Sequence, residues 1–118
     1  MTDLGHRFTA DSVGRALDLV GERWSLLILR ETFFGVRRYG EFARNLSIPR
    51  PTLSARLKTL VDAGVLRRER YCEAPERYEY HLTDAGQELV PVIRALRAWG
   101  ERWACTPGQA ATSAPGAP

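Results

Sequence analysis

Apolar residues first recur at helical spacing from Val13, with Val13, Ala16, Leu17 and Val20 at i, i+3, i+4 and i+7. Asp11 and Ser12 precede them and suit a helix N-cap, so the pattern predicts a first helix that ends at Gly21. A second helix is predicted from near Glu22. Trp24, Leu27, Ile28 and Glu31 form one stripe of it, and Leu26, Leu29 and Phe33 another. Apolar residues on nearly all sides mark it as the buried central helix. Gly35 closes it, Val36 to Tyr39 reads as a short extended stretch, and a third helix is predicted over Gly40 to Leu46.

The run Ser47-Ile48-Pro49-Arg50-Pro51 then breaks the helical period, because each proline disfavours helical geometry in the residue before it. A fourth helix is predicted from Pro51 to Ala63, with Arg50 as its cap and Leu53, Leu57, Leu60 and Val61 turned inward. Gly64 supplies the left-handed residue expected just past a helix end. Val65 to Cys72 and Arg77 to Leu82 read as two strands of a hairpin. Tyr78, Tyr80 and Leu82 alternate with Glu79 and His81, which places His81 toward solvent. Thr83 suits the cap of a last helix in which Leu89, Val92, Leu96, Trp99 and Trp103 are spaced 3, 4, 3 and 4, a heptad-like seam, with a kink expected at Pro91. The fold class is therefore mainly α with a small β-hairpin: a winged helix-turn-helix, in which the helix after the turn enters the major groove.

Length and composition narrow the functions. A chain of 118 residues fits one domain, assigned to 11–105, with a flexible 1–10 and a tail at 106–118 whose small residues, Gly and Pro predict disorder. No apolar run approaches the roughly 18 residues of a membrane span, and Met1 to Thr9 lacks the pattern of a secretion signal. A cytoplasmic location is expected. Cys72 and Cys105 form no C-x-x-C pair and have no histidine at ligand spacing, so neither a disulfide framework nor a metal site is expected. No Gly-rich phosphate loop, Gly-x-Ser-x-Gly or His-Glu-x-x-His occurs, so neither an enzyme nor a cofactor is expected. The net charge of +3 comes from the middle of the chain: residues 36–83 hold ten basic and six acidic residues. Such a concentration suits a phosphate backbone, although a solvated basic face would look the same.

Residue strings sharpen the picture. Leu17-Asp18-Leu19-Val20-Gly21 with Trp24-Ser25-Leu26-Leu27-Ile28-Leu29-Arg30, then Gly35 and Arg38-Tyr39-Gly40-Glu41-Phe42, then Leu53-Ser54-Ala55-Arg56-Leu57-Lys58-Thr59-Leu60 and Glu79-Tyr80-His81-Leu82-Thr83 together resemble the HxlR family, bacterial regulators related to the MarR group. The resemblance spans about residues 11–103. It implies a homodimer built from the N- and C-terminal helices, with two winged domains on a palindromic operator. Redox-sensing members carry a cysteine near the start of the first helix, where this chain has Asp11 and Ser12. The family's Ser or Thr cap of the recognition helix is here Pro49.

On a helical wheel Leu53, Leu57, Leu60 and Gly64 take the core side of the fourth helix. Pro51, Thr52, Ala55, Lys58, Thr59 and Asp62 then face outward, with Ser54 and Arg56 on the flanks. Arg50 and Arg56 suit guanine, Thr52 and Ala55 a thymine methyl, and Lys58 a phosphate, and Ser54 joins this surface. An intramolecular ion pair is the competing role for Arg56. In the hairpin, Arg77 beside Pro75 is assigned to the DNA backbone or minor groove. Arg67, Arg68 and Arg70 are interleaved with Glu69, Glu73, Glu76 and Glu79, so cross-strand charge pairing competes there. Arg37 and Arg38 are phosphate candidates. Val13, Leu17, Leu89, Val92, Leu96, Trp99 and Trp103 are assigned to a dimer interface. Cys72, near the wing tip, is open to oxidation or an inert thiol.

The expected function is a sequence-specific DNA-binding transcriptional regulator, acting as a repressor: a homodimer on an inverted-repeat operator in double-stranded DNA. Two other readings stay open. One is a winged-helix protein interaction module; the other is an effector-sensing regulator, with a small-molecule effector such as a quinone, flavin or aldehyde held at the dimer interface.

Overall fold

The computed structural model describes residues 11–104, so the segments 1–10 and 106–118, with His6 and Cys105, lie outside the described residues. The chain divides into two compact units, Met1–Gln87 and Glu88–Pro118. The first contains helices α1 (Ser12–Val20), α2 (Arg23–Phe33), α3 (Tyr39–Leu46) and α4 (Arg50–Asp62), strands β1 (Leu66–Glu73) and β2 (Glu76–Leu82), and the short helix α5 (Asp84–Gln87). The second contains α6 (Val90–Trp103). No helix among the described residues is long and apolar enough to cross a membrane.

Side chains close most helix starts. The Asp11 carboxylate accepts the Gly14 N–H at 2.7 Å, and Glu22 accepts those of Trp24 and Ser25 at 2.7 and 3.1 Å, occupying donors that the first turn leaves without helical partners. At α3 the Glu41 carboxylate accepts the Arg38 N–H at 3.3 Å. The chain leaves α3 through Ser47 in the left-handed region, φ 52 and ψ 37, and this single residue turns it into the Ile48-Pro49 link to α4. Ile48 is buried, which fastens the turn to the core.

The core of this unit is Val20, Ile28, Leu29, Phe42, Ile48, Leu53, Leu57, Leu60, Val65 and Leu66. Central α2 contacts α3, α4 and β2. Its buried Glu31 is satisfied from two sides, by Arg30 at 3.1 Å and by the Asn45 side-chain amide of α3 at 3.0 Å. The hairpin is antiparallel, with Leu66 opposite Leu82 and Glu69 opposite Glu79, and a bulge between Arg70 and Cys72 leaves Tyr71 without a cross-strand partner.

Five expectations change. Helix α4 begins at Arg50, not Pro51, and Pro49 rather than Arg50 is its cap: the Leu53 N–H donates to the Pro49 carbonyl at 2.9 Å. Pro51 is tolerated inside the first turn because its missing N–H would have had no helical acceptor there. Gly64 does not point to the core; it is exposed at φ +77, past the end of α4. The last helix is two helices, broken at Glu88 and Leu89, so Pro91 lies in the first turn of α6 and no interior kink is required. Leu89 becomes the N-cap residue of α6. His81 is half-buried rather than solvent-facing, because the outer edge of β2 is covered: Arg38 bridges Glu79, and the Tyr80 N–H donates to the Arg37 carbonyl at 2.8 Å. Strand ends move by one residue, which leaves only Ala74 and Pro75 in the turn.

Thr83 caps α5 as expected, accepting the Gly86 N–H at 3.1 Å while its hydroxyl donates to the Gly64 carbonyl. This knot draws Gly86 so close to the strands that a Cβ there would press into the Val65 carbonyl oxygen and lie 2.9 Å from Leu82 Cδ2. Gly86→Ala should therefore destabilise the protein by about 1–3 kcal/mol in urea unfolding, the usual cost of overpacking. Gly40→Ala, whose Cβ would meet only Arg44 at 3.5 Å, should leave stability level or raise it. Equal midpoints for the two variants would contradict this packing.

Candidate nucleic-acid interface

Helix α4 offers one side to the core through Leu53, Leu57 and Leu60, each no more than 1% exposed, so the opposite side is committed to solvent. Arg50, Ser54, Ala55 and Lys58 are exposed there, and Thr52 and Arg56 are half-buried. Arg56 has no ion-pair partner among the described residues, so the competing role weighed for it is not taken up in the structure. Lys58 pairs with Asp62 at 2.7 Å, one turn on, with side chains 76% and 63% exposed. A pair so exposed contributes about 0.3–0.5 kcal/mol, little enough for an incoming phosphate to displace the carboxylate.

The start of α4 is held by a residue that sequence reasoning did not single out. The Tyr39 hydroxyl donates to the Arg50 carbonyl at 3.1 Å and lies 3.1 Å from Ser54 Oγ. With its one proton used on the carbonyl, Tyr39 accepts from Ser54. The Arg50 guanidinium lies 5.5 Å from the same ring centroid. Ser54, expected on the reading surface, is thus also a fastening between α3 and α4. No sequence signal marks this contact, which joins residues 11 and 15 positions apart.

The arginines before α3 and in the hairpin fall into two groups. Arg37 donates to the Thr32 and Val36 carbonyls at 2.8 and 3.0 Å and so serves the end of α2. Arg38 pairs with Glu79 at 3.1 Å and lies over the Tyr71 ring at 3.9 Å, tying the start of α3 to both strands. Arg70 pairs with Glu76 of the other strand at 3.1 Å, the cross-strand charge pairing weighed as its competing role, whereas Arg67 pairs with Glu69 on its own strand, also at 3.1 Å. Arg68 lies over Tyr78 at 4.1 Å and beside Tyr80, whose phenol is pushed above its ordinary value by burial, with Arg68 opposing the shift. Arg77 is exposed and without an ion pair among the described residues. Cys72 is a half-buried free thiol.

In α1, Val13 and Leu17 are exposed, and Asp11 serves as the helix cap. In the second unit Val92, Leu96, Trp99 and Trp103 are exposed, the tryptophans by 62% and 65%, while Leu89 is half-buried. Sequence reasoning also missed one cluster: Glu69, Glu79 and His81 bring three ligand-type atoms within 4.8 Å of one another. Its signal was the Glu-x-His pair on β2 combined with the register that sets Glu69 opposite Glu79.

The description HxlR-like helix-turn-helix matches residues 19–107. An uncharacterized HTH-type transcriptional regulator of Mycobacterium tuberculosis is 60% identical over 103 residues, 87% of this chain and 65% of the relative. The chain thus spans just under two thirds of that relative's length. Another, from Synechocystis, is 39% identical over 77% of this chain and 68% of its own length. Among solved structures, the oxidized form of the redox regulator HypR superposes with a TM-score of 0.71 at 33% identity, covering 77% of this chain and 95% of that one. PA1607 superposes at 0.77 with 40% identity, covering 87% and 72%. These relatives are named as regulators of transcription, not as enzymes. Element order, the hairpin after α4 and these matches agree, and the chain belongs to the HxlR-like helix-turn-helix family.

Proposed function

We propose that the protein is a transcriptional repressor that binds double-stranded DNA as a homodimer, with α4 in the major groove of each half of an inverted-repeat operator. The observation that carries this reading is the outward face of α4: it holds the exposed Arg50 and Lys58, with Arg56 on its flank and without an ion pair among the described residues, and its orientation is enforced by the buried leucines behind it. An acidic or apolar face there would instead have favoured a protein interaction module. Arg50 and Arg56 address guanine edges, Thr52 and Ala55 a thymine methyl, and Lys58 a phosphate. Arg77 at the hairpin reaches the backbone or minor groove of the flank. Arg38 acts chiefly by holding the hairpin, since its guanidinium is already engaged by Glu79 and Tyr71.

Exposed apolar rows support the dimer. Val92, Leu96, Trp99 and Trp103 on α6, and Val13 and Leu17 on α1, are large side chains left in water, and burying them against a second copy would recover about 25 cal/mol for each Å² of apolar surface removed. Two-fold symmetry would set the recognition helices one helical turn apart or a multiple of it, about 34–36 Å per turn, and would impose the inverted repeat.

Two measurements test this. On an operator duplex selected from a random-sequence pool by the wild-type protein, Arg56→Ala should cost about 1–3 kcal/mol and relax preference at one base pair. Lys58→Ala should instead weaken all duplexes alike and lower the salt slope by about one unit. Wild-type binding by both variants would remove α4 as the reading surface. In sedimentation equilibrium at micromolar concentration the protein should be a dimer and Leu96→Glu should shift it to monomer; a monomeric wild type would contradict the interface.

A further inference from the structure

Glu69 and Glu79 stand directly opposite each other in the hairpin, where two like charges repel. One oxygen of each is neutralised by an arginine: Glu69 Oε2 by Arg67 and Glu79 Oε2 by Arg38, both at 3.1 Å. The other oxygens turn toward a single atom, the Nε2 of His81, at 3.3 Å from Glu79 Oε1 and 3.7 Å from Glu69 Oε1. Two carboxylate oxygens thus converge on one imidazole nitrogen, which also lies within hydrogen-bond distance of Glu79.

The spacing suits a metal ion. Zinc bonds to imidazole nitrogen and carboxylate oxygen at about 2.0–2.2 Å, so neighbouring ligand atoms of a tetrahedral site lie about 3.3–3.6 Å apart. Both distances from His81 are close to this, and all three atoms already lie within 4.8 Å of one another, a gap that rotation of the Glu69 carboxylate can close. Glu69 is the most exposed of the three and the freest to adjust, whereas His81 and Glu79 are 24% and 23% exposed. The two guanidiniums need not leave. Each holds the oxygen that the metal would not use, and so orients its carboxylate as outer-shell partners orient metal ligands.

We propose that Glu69, Glu79 and His81 form a binding site for a divalent transition-metal cation of the zinc type, with water completing the coordination. Imidazole together with carboxylates selects such a cation over magnesium, which prefers oxygen alone. The site belongs to the hairpin and does not depend on the protein's binding DNA.

The test is calorimetric titration of chelator-treated, tag-free protein with Zn²⁺ in the presence of excess Mg²⁺, with circular dichroism to verify folding of each variant. One Zn²⁺ should bind per chain. His81→Ala and Glu79→Gln should each weaken binding by about 100-fold or more, since even an outer-shell loss costs about 10–100-fold. Cys72→Ser should bind as wild type, and bound Co²⁺ should show no thiolate-to-metal absorption. The absence of Zn²⁺ binding, binding that survives both His81→Ala and Glu79→Gln, or loss of binding in Cys72→Ser would overturn the assignment.

Discussion

Leu53, Leu57 and Leu60 are buried along one side of α4 and fix how that helix is rotated. A helix has no preferred rotation of its own, and fixing three leucines in the core sets which residues look out. Turning α4 to present another face would expose the leucines at about 2–5 kcal/mol each, the scale seen for losing a buried Leu. Against this, the outward contacts of α4 itself are small: an exposed Lys58–Asp62 pair and a Tyr39 hydroxyl shared by Arg50 and Ser54. The core therefore aims the helix, and the polar surface is free to be chosen for recognition.

The hairpin is aimed in a different way. A two-stranded sheet is marginal alone, and here β2 is stitched along its outer edge to the residues before α3 by the Tyr80 to Arg37 backbone bond and the Arg38–Glu79 bridge. The bulge leaves Tyr71 outside the ladder, and its ring lies against Arg38. One arginine thus meets both strands. This links the start of α3 to the placement of Arg77.

The helical core was legible because its leucines and isoleucine keep strict periodicity and because Gly21, Gly35 and Gly64 mark the ends. The order of elements followed from it, and the strings around Trp24, Arg38, Leu53 and Glu79 carried the family. What stayed hidden depends on partners distant in sequence. Pro49 as a cap was obscured by a second proline two residues on, and the break at Leu89 by an apolar seam that continues across it. His81 looked exposed because alternation on a strand says nothing of what covers the strand's edge. Tyr39 gave no sign at all. Its role appears only when α3 and α4 are brought together.

We propose that the face opposite Leu53, Leu57 and Leu60 meets DNA. Backbone amide NMR shifts of the labelled protein, followed as operator duplex is added, test it most directly. The largest changes should fall on Arg50 to Lys58, with a second set at Arg77 in the hairpin, while core amides of α2 move little. Changes confined to other elements, with α4 silent, would contradict it.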